Sequence, residues 1–236
     1  MFALAVLVAG ISTAASQVII VIDRDYNSGN NIAEYSAWDT TNPFDGVANS
    51  GASAFSNGTG VGVTVNGTQL RRPAFFFELP TGYTSAQINE ATLRFRLNDK
   101  TNPTTNLSIY SAALNTLGTQ NSTYAISTFS SGNFTDTGLG LATTAATGTN
   151  YTFNVTSLVK AALDENLSTT VVAFRFQMDN DTTLAYGTQN NYLLLGFNTT
   201  TTGNRPALTL DVIPEPATGL LLGAAAGAML LMRRRR

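Results

Sequence analysis

Hydrophobic and polar residues alternate with a period of two through most of the stretch from Gln17 to Asp211. In "TLRFRLN", Leu93, Phe95 and Leu97 fall on one side and Thr92, Arg94, Arg96 and Asn98 on the other. In "VVAFRFQM", Val172, Phe174, Phe176 and Met178 alternate with Ala173, Arg175 and Gln177. "YTFNV" groups Tyr151, Phe153 and Val155, and "ALTLDV" groups Leu208, Leu210 and Val212. Successive strand side chains point to opposite faces, so this pattern predicts strands with one dry and one wet face, as antiparallel sheets have. Further strands are predicted near Val18–Ile22, Gly62–Val65, Ala74–Leu79, Leu107–Ala112 and Tyr192–Phe197. Turn-rich pieces such as "NDKTNPTTN" and "NTTTTGNRP" separate them. "TSLVKAALDEN" breaks the period. It offers Thr156 or Ser157 as a cap, with Leu158, Val159, Ala162 and Leu163 at helical spacing, which predicts one short connecting helix. About ten strands and one helix predict an all-β fold, an antiparallel two-sheet β-sandwich of jelly-roll-like form. No internal repeat is apparent.

Composition narrows the chemistry. The 236 residues contain no cysteine and no histidine. Disulfides, thiolate nucleophiles and imidazole are therefore excluded, and with them Ser-His-Asp hydrolases, cysteine proteases and zinc sites with imidazole ligands. The formal charge is −2, but four of the thirteen basic residues are the last four of the chain. The body is thus near −6, a poor match for nucleic acid.

Both ends depart from the alternating pattern. Phe2 to Ile11 are apolar or glycine, and Ser12-Thr13-Ala14 or Ala14-Ala15-Ser16 supplies a small-x-small cleavage site. A secretory signal peptide is predicted over residues 1–16, although the usual positive n-region is missing, which leaves open a true start upstream of Met1. The β-sandwich domain is placed at 17–212 and an anchor segment at 213–236. That segment holds Pro214-Glu215-Pro216, sixteen uncharged residues from Ala217 to Met232, and Arg233, Arg234, Arg235 and Arg236. As a helix, sixteen residues span about 24 Å, slightly short of a hydrocarbon core of about 30 Å. Gly219, Gly223 and Gly227 give it one small face. The arginines are expected on the cytoplasmic side. Leader and anchor together would hold the body outside the membrane, joined through a proline-stiffened extended peptide open to a processing enzyme.

This order of features resembles the PEP-CTERM sorting signal of Gram-negative bacteria, over about 25 residues. The resemblance implies recognition by an exosortase, transient insertion of 217–232 in the inner membrane, removal of the tail, and a producer of extracellular polysaccharide. The body resembles the DNRLRE-type domain, a jelly-roll module related to carbohydrate-binding modules. The matching pieces are Arg71 and Arg72 before Phe75 to Leu79, then Ala91 to Leu97, Phe153 to Thr156, and Arg205-Pro206. One departure is the absence of tryptophan ahead of the Phe-Asn-Val strand, since the single tryptophan is Trp38.

Candidate ligand contacts follow from the chemistry of sugars, which stack on flat aromatic faces with polar groups beside them. Trp38, Tyr35 and Tyr124 are the leading candidates, with Tyr26 and Tyr186 behind them, all in polar, turn-rich sequence. Asp23 and Asp25 alternate in "DRDYNSGNN", and Asp179 and Asp181 in "MDND", a spacing of oxygen donors that suits a structural calcium. Neither matches the EF-hand loop. No stretch marks a carboxylate pair of the glycosidase kind. Ten Asn-x-Ser/Thr sequons occur, and only Asp164-Glu165-Asn166-Leu167-Ser168 carries the acidic residue two places ahead that bacterial N-glycosylation favours. The expectation is an exported, non-catalytic protein of the cell surface or exopolysaccharide matrix, with a structural, adhesive or glycan-binding role. The alternative is a secreted polysaccharide-active enzyme, a glycosidase or lyase.

Overall fold

The computed structural model of the chain describes residues 16–21, 34–53, 58–64, 67–114, 134–187, 190–196 and 204–213. The strands are β1 (Ser16–Val21), β2 (Glu34–Asp39), β3 (Ser50–Ser53), β4 (Gly58–Thr64), β5 (Gln69–Glu78), β6 (Ile88–Thr101), β7 (Leu107–Leu114), β8 (Thr135–Leu141), β9 (Thr149–Asn154), β10 (Val171–Met178), β11 (Asn191–Gly196) and β12 (Ala207–Val212). One helix, α1 (Thr156–Asp164), sits between β9 and β10, and short 3-10 turns occupy Ser85–Gln87 and Asp181–Thr183. All pairings among these strands are antiparallel. The expected all-β sandwich is what the described residues form.

Two long strands organise the ladders. β6 carries β12 along Ile88–Arg94 and β11 along Arg96–Thr101 on one edge, and β9 on the other. β5 carries β4 and β10 on one edge and β2 on the other, because Arg71 lies between Gly62 and Trp38 while Ala74 lies between Arg175 and Tyr35. One layer therefore holds β1, β12, β6, β9 and β11, and the other β3, β2, β5, β10, β7 and β8. β4 pairs with β11 and with β5, so the hydrogen bonding passes from one layer into the other.

The alternating residues meet between the layers. Leu93, Phe95, Leu97, Phe174, Phe176, Met178, Leu208, Leu210 and Val212 are all buried there, as their spacing predicts. Phe176 packs against both Phe75 and Phe95 with ring centroids 4.9 Å apart in each case, and Phe153 stacks on Phe95 at 5.6 Å. Aromatic pairs in these offset and edge-on geometries add about 0.5–1.5 kcal/mol each to the apolar burial. Helix α1 closes one opening of the sandwich by burying Val159 and Ala162. Its cap differs from the expected Thr156 or Ser157. The N-cap is Val155, and the Asn154 side chain accepts the Thr156 N–H at 3.0 Å.

A second correction concerns β10. Its predicted wet face is dry: Val171, Ala173 and Arg175 are buried, as are Ala74 and Phe76 on β5. A smaller apolar cluster of Ala37, Phe44, Ala48, Leu70, Ala74, Phe76, Phe134 and Ala173 covers this outer side, with Tyr110, Leu184 and Tyr186 at its margin. Segments distant in sequence supply the cover, so a local pattern of alternating polarity does not reveal it.

Candidate functional site

The polar chemistry of the described residues gathers on this covered outer side. Arg72 and Ala37 are register partners, so Arg72 projects to the same side as Ala37. It meets Asp181 in a two-bond fork, with Nε donating to Oδ2 and a terminal nitrogen to Oδ1, each at 2.7 Å. Both residues are buried. Asp181 was a candidate calcium ligand, but both its oxygens are taken by a guanidinium 109 positions away. Its neighbour Asp179 accepts the Ser108 hydroxyl at 2.6 Å. Among the described residues no group of three or more acidic side chains is placed to hold a metal.

Arg175 lies on the same face, between the rings of Tyr110 at 4.8 Å and Phe134 at 4.9 Å. Burial, followed by the neighbouring Arg72 charge, pushes its guanidinium down to about 10. Tyr110 moves the other way: burial and then the Asp136 charge raise its phenol above the usual value. Asp39 closes the cover. Its buried carboxylate accepts the N–H groups of Thr41 at 2.8 Å and of Asp45 and Gly46 at 3.0 Å, and also the Thr41 hydroxyl. This knot holds the segment that carries Phe44 and Ala48 onto β5. Phe44 in turn meets Tyr186 edge-on at 5.2 Å. Arg72, Arg175 and Asp39 carry no signal of burial in the sequence. The one local cue is "DTTNPFDG", a typical Asx-turn composition after Asp39.

No protein-family model matches this chain, and no curated protein is similar to it.

The expected ligand contacts fall in different places. Trp38 belongs to strand β2, not to a turn-rich loop, and is half-buried. The Arg71 guanidinium lies over its ring at 5.1 Å and donates two hydrogen bonds to Gln69, at 2.7 and 3.1 Å. Burial lowers the Arg71 pKa. One ring face of Trp38 is therefore already occupied by a planar cation. Tyr35 is in β2 opposite Ala74, and its side chain lies outside the described residues, as do Tyr26, Tyr124, Asp23 and Asp25. Pro214 to Pro216, the apolar segment and the four arginines also lie outside them. Among the described residues no helix is long and apolar enough to cross a membrane.

A polar groove of about 300 Å³ opens at the β7–β8 edge, lined by Asn106, Ser108, Asp136, Gly138, Gly140 and Asp179. Its carboxylates hold one partner each: Asp179 takes the Ser108 hydroxyl and Asp136 the Gly138 N–H at 2.9 Å. Such an edge offers hydrogen-bond acceptors to hydroxyl-rich ligands. Gly140 is required there, since a Cβ would stand 1.9 Å from the Leu107 carbonyl oxygen.

The two ends of the body meet. Among the described residues β1 pairs with β12 alone, and Ser16 stands opposite Val212. Ile213 is held by its N–H on the Gln87 carbonyl at 2.8 Å. The last residue of the expected leader and the residues just before the proline triplet thus share one corner of the sandwich.

Proposed function

We propose that this chain is an exported structural or adhesive protein of the cell surface or exopolysaccharide matrix, sorted through its C-terminal tail by an exosortase. The observation that carries this reading is the order Pro214-Glu215-Pro216, an uncharged apolar segment over 217–232, and Arg233 to Arg236 at the end. The fold is compatible with it. β1 spans Ser16–Val21, so cleavage after Ser16 would remove only the first residue of that strand, and β12 ends at Val212, two residues ahead of Pro214. Any glycan contact of Trp38 would use the ring face that Arg71 leaves open, since Trp38 is half-buried in β2 between β3 and β5. No histidine or cysteine is available for catalysis, and Asp39 and Asp181 are both committed to holding the outer layer in place.

The test is fractionation of producing cells with mass measurement of the mature chain. The expected product lacks both the leader and the apolar tail and is recovered from the surface or matrix. Loss of the exosortase should leave the tail on and the chain in the membrane fraction. Intact chain in the cytosol, still ending at Arg236, refutes the proposal.

A further inference from the structure

Strand register divides the outer face of the layer holding β1, β12, β6 and β9 into rows. Ile19 lies opposite Thr209, Thr209 opposite Thr92, and Thr92 opposite Asn154, so these four form one row across the sheet. Their neighbours in sequence, among them Val18, Leu208, Leu93 and Phe153, pack into the core, which puts this row on the outside. Ile19 is a large apolar residue left 56% exposed there.

The rows on either side carry opposite charge. Two positions along β6 from Thr92, Arg94 lies between Ala207 and Thr152 and is the charged residue of its row. Two positions the other way, Glu90 lies opposite Asp211, with Gln17 beyond. Among the described residues neither Arg94 nor Glu90 joins an ion pair, and the Nε of Arg94 is buried with no acceptor. Four residues of strand hold their backbones about 13 Å apart, so the two charges sit on one face without meeting. Arg96, one row beyond Arg94, donates to Asn204 at a long 3.5 Å.

A two-fold axis laid along the Ile19–Asn154 row matches this face to itself. It reverses the strands, so the Arg94 row of one copy covers the Glu90 and Asp211 row of the other, and the match occurs twice. Ile19, Thr209 and Thr92 each meet their own counterpart on the axis. Such an isologous contact needs only one patch, repeated on both copies. Four strands about 4.8 Å apart and about six residues of about 3.3 Å give roughly 400 Å² on each copy. Stable interfaces take about 800 Å² a side, so the contact is a weak, reversible one.

We infer that this face is a homotypic contact, which pairs two copies of the chain antiparallel through Arg94 and Glu90. The chain leaves β12 at Val212, three residues from the axis, so the two exits lie about 20 Å apart along the strand direction and face opposite ways. That arrangement suits copies held by their tails on two facing surfaces better than copies side by side on one, a consequence that rests on the tail being an anchor.

Sedimentation of the full chain over a range of concentrations tests the contact. Glu90→Arg changes an exposed residue and sets arginine against arginine at both ends, so the dimer dissociation constant should rise about tenfold or more. Adding Arg94→Glu should return it to within about threefold of the starting value, since the two charges are then exchanged. Circular dichroism should be unchanged in both. The chain has no cysteine, so a thiol can be placed alone. A short bis-maleimide should join Thr92→Cys to its own copy and leave Val47→Cys, exposed on the opposite layer, unjoined. This pair decides the matter if the double variant fails to fold. A chain that is monomeric at every concentration overturns the inference. Association that Glu90→Arg leaves unchanged overturns it too, and assigns the contact to the apolar ends of the chain. Equal joining at Val47→Cys and Thr92→Cys does the same. None of these results bears on export, which the mass of the mature chain decides separately.

Discussion

Replacing Asp181 by Asn tests whether the outer layer is held by charge. The substitution keeps the shape of the side chain and removes only its charge. Two guanidinium groups, Arg72 and Arg175, would then be buried on one face with their shared counter-charge gone. Breaking a buried pair from one side costs about 3–5 kcal/mol, because the remaining ion keeps its desolvation penalty. For a domain of this size about 2–4 °C of melting temperature corresponds to each kcal/mol, so a fall of about 6–20 °C is expected. Thermal and urea unfolding of the purified protein measure it, and the single tryptophan, Trp38, is a fluorescence probe on the strand next to Arg72. The loss should persist in 1 M salt, since a buried pair is poorly screened. The double variant Arg72→Met, Asp181→Leu should recover the part due to Arg72, because apolar residues of similar volume replace such pairs at little cost, while Arg175 stays without its counter-charge. A loss below about 1 kcal/mol in Asp181→Asn, or no recovery in the double variant, would refute the reasoning.

Other outcomes follow from the same geometry. Asp39→Ala strips the acceptor from the N–H groups of Thr41, Asp45 and Gly46, and should cost about 3 kcal/mol and speed proteolytic cutting between Thr40 and Ala48. Gly140→Ala forces β8 away from Leu107, so at least about 3 kcal/mol should be lost, read from the urea midpoint at unchanged slope. At alkaline pH two groups oppose each other. The lowered folded pKa of Arg175, about 10, means the unfolded chain binds more protons above that pH, so this group makes stability rise with pH. The raised Tyr110 pKa means the folded chain keeps its proton longer, so that group makes stability fall over the same range. Tyr110→Phe should therefore shift the slope of stability against pH upward above pH 10, measured by urea unfolding at several pH values; a slope unchanged from wild type would count against the Tyr110 assignment.

The main core was legible because β6, β10 and β12 present one apolar face each to the other layer, and period-two spacing reports that directly. β2 and β8 were not legible. "EYSAWD" mixes polar and aromatic residues and reads as a ligand-bearing turn, while "TDTGLGL" has glycines where strand side chains would signal pairing. The dry outer face of β10 was missed for a different reason. Arginine in an alternating strand reads as solvent-facing, and only tertiary contacts with Asp181, Tyr110 and Phe134 make Arg72 and Arg175 interior residues. The same contacts remove Asp181 from the calcium candidates. The proposed sorting tail is read from order and composition alone, and it lies outside the described residues.

The pairing of Ser16 with Val212 has a mechanical meaning. Hydrogen bonds between antiparallel strands lie across the strand axis. Tension between the two chain ends at that corner would peel β1 from β12 one rung at a time, at low force. Tension along β12 against the far end of β6 would load the rungs from Ile88 to Arg94 together and shear them, at much higher force. A body pulled by its tail resists as a clamp, whereas one pulled by both ends gives way as a zip.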